Sequence, residues 1–334
     1  MNRLFSLLMC LLLLPVAASA EPDAIAQVPV VDLRVGLSRS VTRDASLAKG
    51  AGQAGYVELA KGGVIGALLP LPTAGQPSAQ ALPTYLALRG ALEASQRFAV
   101  TDCRRTSARI SAWFELEAPD ELAREPSSVG LWATRGARVF AIASEHDNEL
   151  STAATGFAPG PVTGLTDAGR DVVSRILAAG AIVDVSGASE LSIDEVIELA
   201  KKAQAPVIAT HSNARALADR PRNLSDSAIR AIARSGGVIG VTAVHGLIAP
   251  GRSATIEHLV RQISYLVRVA GPEHVALGIG FESGAGPVRN FGSARDFPRL
   301  AVLLRTAGLS QLDIQRVFYG NALRILCAGH GAKE

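Results

Sequence analysis

A histidine and an arginine stand eleven positions apart in the segment PVIATHSNARALADRPRNLSD, which covers residues 206–226. His211 comes just after a short run of apolar residues, and Arg222 stands between Pro221 and Asn223. A histidine at the end of a buried strand is typical of a metal ligand or an acid/base group. An arginine offers a planar fork of donors that suits a carboxylate. The pair therefore suggests a site for a small acidic molecule, with or without a metal.

Other candidate site residues follow further predicted strands in the same way. Because the carboxyl ends of parallel strands meet on one face of a barrel or sheet, these residues are candidates for one shared site. They are Arg34, Gly36, Glu115, Glu117, Glu145, Asp184, Gly187, His245, Gly280 and Glu282.

Eight short apolar segments alternate with amphipathic ones. This pattern predicts parallel βαβ units, and eight units in one domain favour a single (β/α)₈ barrel. A doubly wound open sheet is the alternative, but VVDLRVGLSRS after the first strand lacks the glycine-rich phosphate motif of that fold. The predicted strands cover 28–33, 62–70, 109–116, 137–144, 181–186, 206–210, 237–244 and 274–280. Among the intervening helices, one is predicted from Tyr85 to Arg97, and Thr166, Ser192 and Ser225 are predicted N-caps.

The composition excludes some classes of function. The formal net charge is +3 with the basic residues dispersed, and aromatic residues make up 4% of the chain. Neither a basic patch nor an aromatic stacking platform is indicated, so we expect no nucleic-acid partner.

The first twenty residues have the features of a signal peptide: a basic start, the apolar run LFSLLMCLLLLPVA, and ASA before Glu21. We therefore expect export to the periplasm and a mature barrel domain over residues 21–334. Two cysteines, Cys103 and Cys327, would remain after cleavage. Export permits a disulfide, but the sequence leaves open whether the two thiols meet or stay separately buried.

Several segments, in order over about residues 28 to 327, resemble the membrane (renal-type) dipeptidases. The most specific are GLTDAGRDVVSRILAAGAIVDVS and the block from His211 to Arg222; others are RISAWFELEAPDEL, HVALGIGFESG and GNALRIL. The resemblance implies a (β/α)₈ barrel that hydrolyses dipeptides with two zinc ions sharing a carboxylate. The family often forms dimers, and the sequence leaves open whether this chain forms a homodimer.

Transferred position by position, the resemblance keeps only part of that site. Glu117 matches the bridging carboxylate, His211 matches one histidine ligand, and Arg222 matches the arginine that receives the substrate carboxylate. Four ligand positions are lost, and Glu145 stands where the family has a histidine that assists the transition state. The lost ligand positions are Arg34, Gly36, Gly187 and Gly280.

Two remaining ligands do not hold a two-zinc centre, so we expect no resident cofactor and a non-catalytic or weakly active family member. Arg34 is expected to fill the vacated metal space and pair with Glu117, either as part of a site for a dipeptide or other small carboxylate, together with Arg222, or as a plain ion pair.

The alternative is a metallodipeptidase with a rebuilt single-zinc site of His211, His245 and Glu117, with Glu282 or Glu145 as base. If the protein is active, Glu117 and His211 would serve the chemistry. An ordinary dipeptidase with a different alignment, and serine chemistry at Ser186 or Ser189, are further alternatives.

Overall fold

The computed structural model describes residues 28–37, 52–72, 78–100, 103, 109–117, 119–155, 162–249, 254–282 and 288–328. The predicted signal peptide over residues 1–20 lies outside this part of the chain.

Parallel strands close into a barrel, which confirms the predicted (β/α)₈ fold. Among the described residues nine strands form, and eight of them make the ring β1-β2-β4-β5-β6-β7-β8-β9, closed by pairing of β1 with both β2 and β9. The strands are β1 Val30–Asp32, β2 Val64–Pro72, β3 Phe98–Val100, β4 Ile110–Glu117, β5 Ala137–Ala141, β6 Ile182–Asp184, β7 Val207–Ser212, β8 Ile239–Val241 and β9 Val275–Leu277.

Helices surround the barrel and connect its strands. The α-helices are Tyr56–Lys61, Ser78–Ser95, Glu121–Arg124, Ser128–Arg135, Asp167–Ala178, Glu190–Ala203, Asp226–Arg234, His245–Ile248, Ile256–Ala270, Phe297–Thr306, Gln311–Gln315 and Asn321–Leu326. Two 3₁₀ turns, Pro272–His274 and Ala294–Asp296, and a π-helical turn, Arg316–Gly320, complete the described elements.

The apolar core has two parts. A large cluster lies between the strands and the surrounding helices, and a smaller cluster fills the inside of the barrel. In the smaller cluster Trp113, Ile182 and Ile208 pack with Ile325 and Leu326 of the last helix. The last helix therefore packs against residues of the barrel wall and closes its apolar interior. The buried Arg138 side chain fixes this helix, because its guanidinium donates to the carbonyl oxygens of Leu326 and Ile325 at 2.8 and 3.2 Å.

Three details differ from the sequence-based prediction. Strand β3 was not predicted; it pairs only with the first half of β4 and lies outside the ring. The helix expected to start at Tyr85 begins at Ser78. Ser192 is not an N-cap: Ser189 caps that helix by accepting from the Ser192 N–H, and Ser192 lies inside the first turn. The caps predicted at Thr166 and Ser225 are confirmed.

Cys103 and Cys327 form a disulfide, with Cα atoms 5.8 Å apart. Of the two possibilities left open by the sequence, the bridge is the one observed. In the described part of the chain, no helix is both long enough and apolar enough to span a bilayer.

Candidate functional site

The candidate site lies where the inward-facing residues of the barrel change from apolar to polar. Side chains two apart on a strand share a face, so Glu115 and Glu117 lie on the same face of β4 as Trp113 of the apolar interior. Asp184 follows Ile182 on β6 and Thr210 follows Ile208 on β7 by the same rule. The strands thus place a polar layer above the apolar floor, toward their carboxyl ends.

Arg34 connects the first strand to the two glutamates of β4. Its Nη1 donates to Glu115 Oε2 at 3.0 Å, and its Nη2 donates to Glu117 Oε1 in a second, short contact. The Arg34 side chain is 10% exposed and the two glutamates 0% and 20%. Burial acts to lower the pKa of Arg34, but the attraction to its acidic neighbours, chiefly the carboxylate of Glu117, outweighs it and raises the pKa above its usual value. The predicted pair with Glu117 is present, and Arg34 is a fixed cation held by two carboxyl groups.

Asp32 holds the backbone on which Arg34 stands. Its Oδ1 accepts the N–H groups of Arg34 and Ile279, each at 3.0 Å, and so ties the end of β1 to the segment after β9. The carboxyl group is fully buried, and this burial raises its pKa to about 7, against the opposing effect of the two N–H donors.

Glu115 lies beside a second buried acid, Asp184. Burial first, and Asp184 second, raise the pKa of Glu115 well above its usual range. Glu115 Oε1 is buried and has no donor among the described residues. A protonated Glu115 resolves this, because its hydroxyl can donate to the carboxylate of Asp184. Asp184 in turn accepts from the backbone N–H and hydroxyl of both Ser186 and Thr210, at 2.7 to 2.9 Å.

A relay of hydrogen bonds continues from Asp184 to Arg222. The Thr210 hydroxyl donates to Asp184 Oδ2 at 2.7 Å, and therefore accepts from Nδ1–H of His211 at 2.8 Å. Arg222 Nη2 donates to His211 Nε2 at 3.2 Å. Burial, followed by the charges of Arg34 and Arg222, lowers the pKa of His211 well below its usual value. His211 is thus a neutral imidazole whose Nε2 lone pair is taken by Arg222.

The three guanidinium nitrogens of Arg222 have different surroundings. Nη1 donates to Glu145 Oε1 at 3.2 Å, Nη2 reaches His211, and Nε is buried without an acceptor among the described residues. A Cβ added to Gly187 would come within 3.4 Å of both Nε and Nη2. The guanidinium therefore packs against Gly187, which the resemblance matches to a histidine ligand of the family. Burial lowers the pKa of Arg222, with the Glu145 charge opposing.

Backbone geometry disfavours a side chain at each of the three glycines that the resemblance matches to lost ligand positions. Gly187 and Gly280 have φ values of +80° and +83°, which strain any residue with a Cβ, and a Cβ at Gly187 would lie 2.7 Å from the carbonyl oxygen of Ser144. At Gly36 a Cβ would lie 3.0 Å from the backbone of Phe281 and Glu282. A ligand side chain at any of these three positions would therefore strain or displace the backbone.

The donors that remain do not fit a zinc centre. The carboxylate of Glu117 holds Arg34, the Nε2 of His211 holds Arg222, and the fixed positive charge of Arg34 opposes a cation beside them. Across the described ranges no three His, Cys, Asp or Glu side chains are placed to hold a metal ion together. The alternative set of His211, His245 and Glu117 is thus not assembled: His245 opens the short helix His245–Ile248 instead.

The other candidate groups have structural roles. Glu282, suggested as a base, accepts the Ala54 N–H at 3.2 Å. Ser186 donates to Asp184 and Ser189 caps a helix, so neither lies as a nucleophile beside a free base.

Sequence comparison assigns the chain to a family. Residues 22–333 match the family described as membrane dipeptidase (peptidase family M19), and the chain belongs to this family. An uncharacterized protein in the pqqA 5′ region of Klebsiella pneumoniae is 38% identical over 54% of this chain and 67% of its own length. The matches to four curated relatives, this one included, span between 33% and 67% of the relatives' own lengths.

Solved structures share the barrel. The probable dipeptidase PvdM from Pseudomonas aeruginosa superposes with a TM-score of 0.80 at 22% identity, over 90% of this chain and 95% of that one. A metallo peptidase from Rhodobacter sphaeroides, liganded with a phosphinate mimic of the dipeptide L-Ala-D-Ala, gives 0.78 at 22% identity, over 90% and 99% of the two chains. At this identity the likeness establishes the fold.

Glu115 and Asp184 were predicted at strand ends without a role in the site, and Thr210 was not among the candidate residues. Their inward direction could have been read from the alternation with Trp113, Ile182 and Ile208. Their hydrogen bonds could not, because these depend on how close the strands bring the side chains.

Proposed function

We propose that this protein is an exported member of the membrane dipeptidase family that binds a small carboxylate ligand, of the dipeptide class, without zinc-dependent hydrolysis. The observation that carries the proposal is the ion pair between Arg34 and Glu117: a guanidinium holds the one carboxylate that matches the family's metal bridge. A metal would supply a positive charge beside Glu117. Here the Arg34 side chain supplies that charge, and it cannot dissociate as a metal ion can.

Arg222 is the proposed ligand-binding group. It is mostly buried, yet its Nη1 points to an exposed partner, so a ligand carboxylate can reach it from the mouth of the barrel. A guanidinium fork suits a carboxylate. Arg34 is less suited to this role, because both of its Nη atoms are already bound to Glu115 and Glu117. The dipeptide class is taken from the Rhodobacter sphaeroides relative, whose ligand is a dipeptide mimic.

Export is supported by the basic and apolar segments that open the sequence and by the Cys103–Cys327 bridge, since disulfides persist in the periplasm.

The test combines metal analysis with calorimetry. The purified protein is loaded with zinc, desalted and analysed for metal, and is then titrated with L-Ala-D-Ala and with the C-terminal amide of the same dipeptide. We expect no tightly held zinc, binding of the acid but not the amide, and loss of binding in Arg222→Met. Arg220→Met changes an exposed arginine two positions away and serves as the matched control.

About two equivalents of zinc with turnover would overturn the proposal in favour of the family reaction. A single tight equivalent that disappears in His245→Ala would favour the rebuilt single-zinc hydrolase.

A further inference from the structure

Glu145 is held in place by its loop although its side chain is exposed. It follows β5, and its carbonyl oxygen accepts from the Thr155 hydroxyl at 2.6 Å. In the same loop, Asn148 donates to the carbonyl of Ile142 at 3.0 Å and accepts from the N–H of Leu150 at 2.8 Å. The loop after β5 is therefore internally bonded, and it presents the Glu145 carboxylate at the mouth of the site.

The carboxylate closes the outward side of Arg222. The inner side of that guanidinium faces His211 and Gly187, and Nη1 faces Glu145. The two side chains differ strongly in accessibility: that of Glu145 is 72% exposed and that of Arg222 is 15% exposed. A mostly exposed carboxylate that pairs with a nearly buried guanidinium is arranged like a bound ligand. In an ion pair of the protein core, both side chains would be buried.

We propose that Glu145 is an internal ligand of Arg222, which occupies the carboxylate-binding group until an external carboxylate displaces it. The inference rests on the proposed function, since it concerns the same arginine. Because an entering group must replace an anion on Arg222, a neutral group such as an amide gains too little to enter. Glu145 thus both weakens binding and makes the site selective for anionic ligands.

The experiment compares Glu145→Gln with Glu149→Gln. Glu149 is an exposed glutamate of the same connection whose arginine partner, Arg124, lies outside the site. In titrations with L-Ala-D-Ala, Glu145→Gln should bind roughly two- to fivefold more tightly than the unchanged protein, the range expected for loss of a partly exposed ion pair. Binding of the amide should strengthen in the same variant, and Glu149→Gln should match the unchanged protein.

Equal affinities in Glu145→Gln and the unchanged protein, with binding abolished by Arg222→Met, would overturn this inference and leave the proposed function intact. If the dipeptide binds none of the proteins, the proposed function fails, and a ligand-free measurement decides the inference. Phenylglyoxal modifies accessible arginines, and peptide mapping reports the rate at Arg222. Faster modification in Glu145→Gln, but not in Glu149→Gln, supports the internal ligand, and equal rates overturn it.

Discussion

Arg34 and Glu115 meet at 3.0 Å inside the barrel, and thereby join the end of β1 to β4, two strands that are not neighbours in the ring. Glu115 is fully buried and protonated by our assignment, so the charge of Arg34 is balanced chiefly by Glu117. The Arg34 guanidinium therefore acts as a fixed structural cation of the site, held mainly by Glu117.

Replacing Arg34 by methionine should destabilise the fold by about 2–4 kcal/mol, because it leaves the carboxylate of Glu117 in a largely buried site without its counter-charge. The double variant Arg34→Met/Glu117→Gln should regain most of this loss. Urea denaturation of both variants measures the effect. Equal stability of the single and double variants would show that the pair is not a structural unit.

His211 should stay neutral at pH values where an ordinary histidine is protonated. Its folded-state pKa is lowered, while in the unfolded chain it is about 6.5. The unfolded state therefore binds more protons as the pH falls below that value, so the contribution of His211 to stability is full above pH 6.5 and declines below it. ¹⁵N NMR of the imidazole at pH 6 should show the Nδ1–H tautomer.

The variant Arg222→Met tests the cause of the lowered His211 pKa. Removing one of the two cations that lower the His211 pKa should shift its titration to higher pH. An unchanged titration, or a protonated His211 at pH 6 in the unchanged protein, would contradict the relay from Asp184 to Arg222.

Restoring a ligand side chain should not restore a metal site. Gly187→His places a Cβ at a φ of +80° and against the Ser144 carbonyl oxygen, and it displaces Arg222. We expect destabilisation above the 1–3 kcal/mol of backbone strain alone, and no zinc uptake. Gly180→Ala is the control, because Gly180 has a φ of +68° with open space around it. Stoichiometric zinc in Gly187→His would contradict this expectation and show that the remaining donors can still hold a metal.

The fold was predictable from the sequence because strand and helix patterns alternate along the chain. The helix Ile256–Ala270 can be recognised from the sequence, since its apolar residues follow helical spacing without a break. Strand β3 was missed because three residues carry too little pattern. The N-cap moved from Ser192 to Ser189 because both serines precede the same apolar run.

The site was predictable only in part. The resemblance to the dipeptidases matched Gly36, Gly187 and Gly280 to lost ligands, and the pair between Arg34 and Glu117 was expected from that match. The binding of Glu145 to Arg222 depends on how a loop folds across the mouth of the barrel, which periodicity does not specify.

The bridge between Cys103 and Cys327 should make a large contribution to stability. The cysteines are 224 positions apart, and the chain-entropy account gives about 5 kcal/mol for a loop of that size. Cys103→Ser/Cys327→Ser should therefore melt at a lower temperature than the oxidised protein. A thiol assay on the denatured, unreduced mature protein should detect no free cysteine. Two free thiols would contradict the bridge.

The same bridge has a consequence for proteolysis. Six of the eight barrel strands, β4 to β9, lie between the two cysteines. A protease that cuts one peptide bond anywhere in that interval yields two fragments still joined through sulfur. The nicked chain would travel as one species on a non-reducing gel and separate only after reduction.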